Sequence, residues 1–287
     1  MKGKYLNPKA DLTFKKVFGE HPDLVMSLLN ALLPLDEGKQ IEHVEYLTPE
    51  MVPDNPGKKN SIVDVRCRET GGRHFIVEMQ MRSNLFACPG KNWNNEFQRR
   101  VILNAAKAVV KQLDKNEDYT LIQPVYALNL INDTGFESGP NEFYHDYAIV
   151  NVAHTDRIIE GLRFVFVELP KFKPQTIAER KMAVLWLRFL TEIDKDTEEA
   201  PAELLENPET SKALKILEKS AYNEAQLYAY ERFWDAVTTE RVAVESSYKK
   251  GRDERTLEIA RNMKASGLPA EIIVSTTGLT TDEIDRL

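Results

Sequence analysis

Residues 61–81 read SIVDVRCRE-TGG-RHFIVEMQM, and this stretch decides the fold. Two runs rich in β-branched and aromatic residues flank Gly71-Gly72, the signature of a hairpin. In the first run Val63, Val65 and Cys67 share one face, while Ile62, Asp64, Arg66 and Arg68 share the other. In the second, Phe75, Val77, Met79 and Met81 share one face and His74, Ile76, Glu78 and Gln80 the other. Side chains alternate with period two, so matching the apolar faces sets the register. Paired residue numbers then sum to an even value such as 142, which puts Asp64 opposite Glu78 with Gln80 one step along. The loop must hold an odd number of residues or a bulge, with Gly72 at a left-handed position.

Two carboxylates and an amide oxygen therefore converge on one surface. Like charges across a strand pair repel. A bound divalent cation removes that penalty, and Mg²⁺ takes hard oxygen ligands that it shares with water and substrate phosphates. Such a cation can polarise a phosphoryl group and generate hydroxide. The same pattern also suits a solvated polar face whose acids pair with Arg66 or Arg68, because antiparallel sheets commonly keep one side wet.

Upstream, residues 12–18 read as a short helix with Phe14 and Phe18 one turn apart, Asp11 available as N-cap and Gly19 ending it. Pro22 opens a second helix with Val25, Leu28, Leu29 and Leu32 on one stripe. Residues 41–47 form a first strand, followed by a loop marked by Pro49, Pro53, Asn55, Pro56 and Gly57. Downstream, residues 95–113 form a long helix with Phe97, Val101, Ala105 and Ala108 in a row, and residues 121–131, 144–152 and 162–169 read as strands. After Pro174 the pattern turns helical, over 177–193, 202–206 and 211–247.

Composition narrows the class. At 42% apolar and 29% charged, the chain of 287 residues reads as an ordinary soluble protein with a sizeable core. Its longest apolar runs fall far short of the ~20 residues that span a membrane. The first sixteen residues carry no signal-peptide pattern, and two sparse cysteines, Cys67 and Cys88, make no disulfide framework, so a cytoplasmic location is expected. Cys67 reads as a small strand hydrophobe. Residues 192–209 carry eight acids against Lys195, a net of −7 that equals the charge of the whole chain. The remainder is neutral and leaves room for a local basic face, which is what phosphate binding needs. The five histidines show no metal-ligand spacing and read as structural or surface residues.

Asp64, thirteen intervening residues and Glu78-Met79-Gln80 together resemble the D…ExQ form of the PD-(D/E)xK nuclease superfamily. More narrowly, the chain resembles the recombination-promoting nuclease and transposase-like branch. The N-terminal DLTFKKVF, from Asp11 to Phe18, is similar to that branch's D-x-x-F-K-x-x-F. The strands around Asp64 and Glu78, and Phe97-Gln-Arg-Arg100 at the next helix, follow in the branch's order. The likeness covers roughly the first 170 residues and resumes at the C-terminus. It implies an α/β, restriction-endonuclease-like core with a mixed central sheet flanked by helices, then a helical C-terminal part. The implied domains are a nuclease-like unit over 1–175, a helical extension with an acidic loop over 176–247 and a small tail over 248–287.

The resemblance makes Asp64 and Glu78 metal ligands for Mg²⁺, Mn²⁺ or Ca²⁺, with Gln80 completing the catalytic set. Elsewhere in the superfamily a lysine at that place orients or helps activate the attacking water. Glutamine supplies no positive charge but can position a water by hydrogen bonding. Arg100 and Arg66 are the phosphate or DNA contacts. Arg100 either meets a phosphate, or braces the carboxylates, or is simply a solvated helix residue beside Arg99. Asp11 is either the helix N-cap or an accessory metal ligand. Lys15 and Lys16 are within the range of residues that approach a DNA backbone, although exposed helix lysines are common. Two departures stand out: Val63 replaces the proline before Asp64, and Leu103 and Asn104 stand where the branch often has aromatic residues.

The tail reads as three short helices, over 258–265, 269–275 and from Thr281, with Gly267 between the first two. It resembles the small helix-turn-helix of the same branch. Residues 249–264 hold six bases and three acids. That suits a recognition helix for DNA, or a packing tail through which the helical C-terminal part forms oligomers. The expected function is metal-dependent cleavage of DNA, recombination- or transposase-related. The alternative is a catalytically idle DNA-binding or protein-interaction protein on the same scaffold. DNA is the expected partner, and no membrane.

Overall fold

The computed structural model describes residues 3–51, 61–81, 93–114, 116–136, 138–174 and 181–287. A mixed six-stranded sheet organises the first unit. Its strands are β1 (Val44–Tyr46), β4 (Val65–Glu69), β5 (His74–Gln80), β6 (Val125–Ile131), β8 (His154–Glu168) and β7 (Tyr144–Asn151), in that spatial order. A two-stranded piece, β2 (Glu50–Met51) with β3 (Ser61–Ile62), stands apart. β5, β6 and β8 run parallel, while β1, β4 and β7 are antiparallel to their neighbours. The α/β class with a mixed sheet is the one the sequence implied.

The hairpin register is the expected one. Val65 pairs with Val77, Cys67 with Phe75 and Arg68 with His74, each summing to 142. Glu69 N–H donates to the Arg73 carbonyl at 3.1 Å, so the loop is Thr70, Gly71 and Gly72, with Gly72 at φ +94°. Only glycine takes that conformation without strain, and a Cβ there would sit 2.8 Å from the Gln123 side chain. Gly72→Ala is expected to cost about 1–2 kcal/mol of stability, read as a lower urea midpoint. An unchanged midpoint would show that the turn relaxes freely.

Both sheet faces are covered, because a β5–β6 parallel connection must cross over a face by way of a helix. That helix is α3 (Trp93–Val110). Alternate residues of β5, β6 and β8 divide between two cores. Phe75, Val77, Leu128, Leu130, Val165 and Val167 meet Phe14, Phe18, Leu28 and Trp186 on one side. Ile76, Ala127, Ile131 and Phe166 meet Phe97, Val101, Ala105 and Ala108 of α3 on the other. The first core is roofed by α1 (Asp11–Phe14) with its π-helical continuation Lys15–Gly19, by α2 (Pro22–Leu32) and α4 (Lys181–Glu192), and by α5 (Ala202–Glu206) and α6 (Pro208–Leu217). Cys67 is buried there, its thiol pushed up to about 12 by burial.

Three expectations are corrected. The run 61–69 is not one strand: β3 leaves the main sheet to pair with β2, the chain bends at Val63-Asp64, and Val63 joins the α3 core rather than the core of Val65. Asp11 is not the N-cap. Ala10 holds that position with no side-chain cap, and Asp11 sits in the first turn. The helices expected over 211–247 and 258–265 become α6 and a 42-residue α7 (Glu224–Ala265). α7 runs through Gly251, with a Lys250–Glu254 pair one turn apart beside it. The expected loop around Pro53 to Gly57, the start of the helix at 177, and Cys88 lie outside the described residues.

The second unit is described over residues 235–287. There α8 (Ala270–Thr277) and α9 (Thr281–Asp285) pack with the end of α7 through Ala260, Ile273 and Ile284. Gly278, at φ +73°, ends α8, and Thr280 with Glu283 forms a capping box that starts α9. Among the described residues no helix is long and apolar enough to cross a membrane.

Candidate active site

The bend before β4 and strand β5 bring Asp64 and Glu78 near one another, with Glu78 on the face beneath α3. Asp64 stands at the bend just before β4, where its Oδ2 accepts the Met79 N–H at 2.7 Å. This bond ties the bend to the strand that carries Glu78. Glu78 is 7% exposed, and its Oε1 accepts from Asn104 Nδ2 of α3 at 2.7 Å. Each carboxylate thus has one oxygen held by a neutral donor. The other oxygens approach cations only loosely: Asp64 Oδ1 lies 4.0 Å from Lys15 Nζ and Glu78 Oε2 lies 3.8 Å from the Arg100 guanidinium.

Burial raises both carboxyls above their ordinary values. Asp64 is raised to about 6, chiefly by desolvation, with the Met79 N–H opposing and the Glu78 charge adding to the rise. Lys15 lowers it and Asp11 raises it, to smaller extents. Glu78 is raised by desolvation against the Asn104 hydrogen bond and the Arg100 charge. The protein places two acids close together in a poorly solvated spot without a full countercharge, which is characteristic of functional sites.

The donors suit a hard divalent cation. Each acid offers a spare oxygen, and the Asn104 amide oxygen is buried without a hydrogen-bond partner. Among the described residues no three or more His, Cys, Asp or Glu gather into a metal-holding group. The two spare carboxylate oxygens and the Asn104 amide oxygen are hard donors of the kind a divalent cation shares with water.

Gln80 and Arg100 complete the rim. Arg100 donates to Gln80 Oε1, and its guanidinium lies 5.1 Å from the Phe97 ring centroid. Phe97 is buried, so one helical turn anchors the arginine and aims it at Gln80 and Glu78. Gln80 Nε2 donates to the Met81 carbonyl at 2.7 Å. Arg100 approaches Glu78 Oε2 at 3.8 Å, with its side chain still half exposed.

Other expected groups fall elsewhere. The face bearing Arg66 was expected to be open, yet α3 and its core cover this side of the sheet. Arg66 is 9% exposed and its Nε has no partner, so it presents no open contact to a phosphate. Arg68 pairs with Glu45. His74 is buried and held down to about 4 by desolvation, then by Arg66 and Arg68. Asp11 binds Lys15 Nζ at 2.6 Å. From the acidic segment, Glu203 pairs with Arg188, whereas the charges acting on Asp64 come from Glu78, Lys15 and Asp11.

Sequence reasoning named Asn104 only as a departure from the branch's aromatic positions, and it did not select Asn129. Asn104 is a polar residue on the apolar stripe of Phe97, Val101, Ala105 and Ala108, and that interruption was the available signal. Asn129 is a lone amide inside VYALNLI, paired in register with Glu78 and donating to the Ala127 and Val165 carbonyls.

With this geometry in view, the comparisons are specific. Residues 8–247 match the family model described as PD-(D/E)XK nuclease family transposase. Residues 253–287 match that of the Rpn/YhgA-like nuclease family, C-terminal HTH domain. No curated protein and no solved structure matches the chain.

Proposed function

Since this chain belongs to the PD-(D/E)XK nuclease family transposases, we propose that it is a DNA endonuclease that cleaves phosphodiester bonds with a divalent cation at Asp64 and Glu78. The observation that carries this reading is the pair of buried, raised carboxylates, each with one oxygen to spare. When bound, Mg²⁺, Mn²⁺ or Ca²⁺ would polarise the phosphoryl group and acidify a water. The Met79 N–H and Asn104 orient the two acids that hold it. Gln80, with Oε1 engaged by Arg100, keeps a second N–H to place water. Arg100 has further donors for a phosphate. The C-terminal helix-turn-helix would hold the duplex through its major groove, and the role would be recombination- or transposase-related.

Supercoiled plasmid tests this directly. Nicking is expected with Mg²⁺ or Mn²⁺ and not with EDTA, and each ion should raise the melting temperature by binding the native state. DNA binding without nicking or thermal shift would instead establish an idle scaffold. Arg100→Ala is expected to lower the dependence of log affinity on log salt by roughly 0.9, one phosphate contact. Changing Glu198 and Glu199 to Gln should leave that slope alone. An unaltered slope in Arg100→Ala would remove it from the DNA contact.

A further inference from the structure

Hydrolysis of a phosphodiester gathers negative charge on the phosphoryl oxygens, and preorganised cations at that point are a large source of rate. At this site Asp64 and Glu78 are anions and Gln80 is neutral. Arg100 already holds Gln80 and lies 3.8 Å from Glu78. Among the described residues, the ammonium beside the pair is Lys15, 4.0 Å from Asp64 Oδ1 and 2.6 Å from Asp11 Oδ1.

Its placement is built by the fold. Phe14, Val17 and Phe18 are fully buried and lock the segment onto the core. The α-helical turn Asp11–Phe14 gives way to a π-helical turn that begins at Lys15. Such wide turns are rare and recur at functional sites. The next lysine goes elsewhere: Lys16 Nζ lies 3.9 Å from the Tyr222 ring centroid and donates to the Ala221 carbonyl at 3.3 Å. Asp11, free of any capping duty, is committed to Lys15.

We propose that Lys15 is a catalytic residue that contacts the scissile phosphate, and that Asp11 is its positioning residue; this rests on the nuclease reading of the Asp64/Glu78 site. A phosphate brought to the two carboxylates comes within reach of the Lys15 ammonium. Water forms the new P–O bond as the P–O bond to the leaving sugar oxygen breaks. One water proton passes to solvent, and the leaving oxygen takes one from solvent. Lys15 stays an ammonium throughout, stabilising charge on a non-bridging oxygen, and exchanges no proton.

The experiment compares single-turnover nicking by wild type, Lys15→Ala, Lys15→Arg, Asp11→Asn and Lys16→Ala in Mn²⁺. Lys15→Ala is expected to lose about 100-fold, Lys15→Arg to recover about tenfold of that, and Asp11→Asn to lose about tenfold. Lys16→Ala should stay near wild type. A second readout needs no turnover: in a Glu78→Gln background, adding Lys15→Ala should lower the salt slope of duplex binding by about 0.9. An active wild type with Lys15→Ala within about threefold of it would overturn the role of Lys15 alone. So would a loss that Arg does not restore and that leaves the salt slope unchanged, the mark of a merely structural lysine. A wild type inert with every cation would overturn the nuclease reading, and the proposal with it.

Discussion

Asp64→Asn is expected to abolish metal-dependent nicking, with a loss of about 10³-fold or more, while the protein stays folded. Removing one of two protein carboxylates from a cation site forfeits about 4 kcal/mol of transition-state stabilisation. Asn is the right replacement because Asp64 Oδ2 accepts the Met79 N–H at 2.7 Å. An amide oxygen keeps that acceptor, whereas Asp64→Ala leaves a buried N–H unpaired at a cost of ~1–3 kcal/mol. The acid is thus not a dispensable surface group, and alanine would mix two effects. Gln80→Ala should slow the reaction only about tenfold, the scale of one hydrogen bond, and it releases Arg100 from its amide partner. Nicking by Asp64→Asn at the wild-type rate, in protein free of wild-type contamination, would remove Asp64 from the site.

How much of this site is legible without coordinates depends on how local each contact is. The hairpin register from Val65–Val77 to Arg68–His74 follows from two alternating runs and a glycine turn between them, all within twenty-one residues, and it carries Asp64, at the bend, to the strand of Glu78. Arg100 and Phe97 are legible as neighbours because they lie one turn apart on α3. What alternation does not reveal is what lies above the sheet. The polar side of the hairpin looks wet until α3 is laid across it, and then Glu78 and Arg66 become buried groups. The bend at Val63 follows from β3 pairing with β2, a tertiary choice that overrides an unbroken strand pattern. Lys15 reaches Asp64 from forty-nine positions upstream, and no local periodicity links a helix lysine to a strand carboxylate. The tail is the opposite case. Gly267 and the threonine-acid run from Thr281 are local signals, and α8 and α9 lie close to the expected ranges, with the cap of α9 at Thr280 rather than Thr281.

The electrostatic strain of the site should be measurable without DNA. In EDTA, the stability of wild type relative to Asp64→Asn is expected to fall as pH rises from about 4 to 7. The folded protein holds the Asp64 proton up to about pH 6, against an ordinary 3.8. A carboxyl raised in the folded state contributes stability that is fully present below its unfolded value and lost as pH rises through its folded one. Two pH units correspond to about 3 kcal/mol from Asp64, and the raised Glu78 adjusts in the same direction. Other acids pull the opposite way: Glu168, buried against Lys171 and His145, is lowered and loses its contribution as pH falls. They are common to both proteins, so the difference between the two melting curves isolates Asp64. At pH 7.5 Asp64→Asn should melt several degrees above metal-free wild type, at about 2–4 °C per kcal/mol for a chain of this size. Saturating Mg²⁺ should then close the gap by stabilising wild type alone, because the cation replaces the missing countercharge. A difference that is flat across pH 4 to 7, or that grows in favour of wild type, would mean that Asp64 is well solvated, and the buried carboxylate pair would no longer support a cation site.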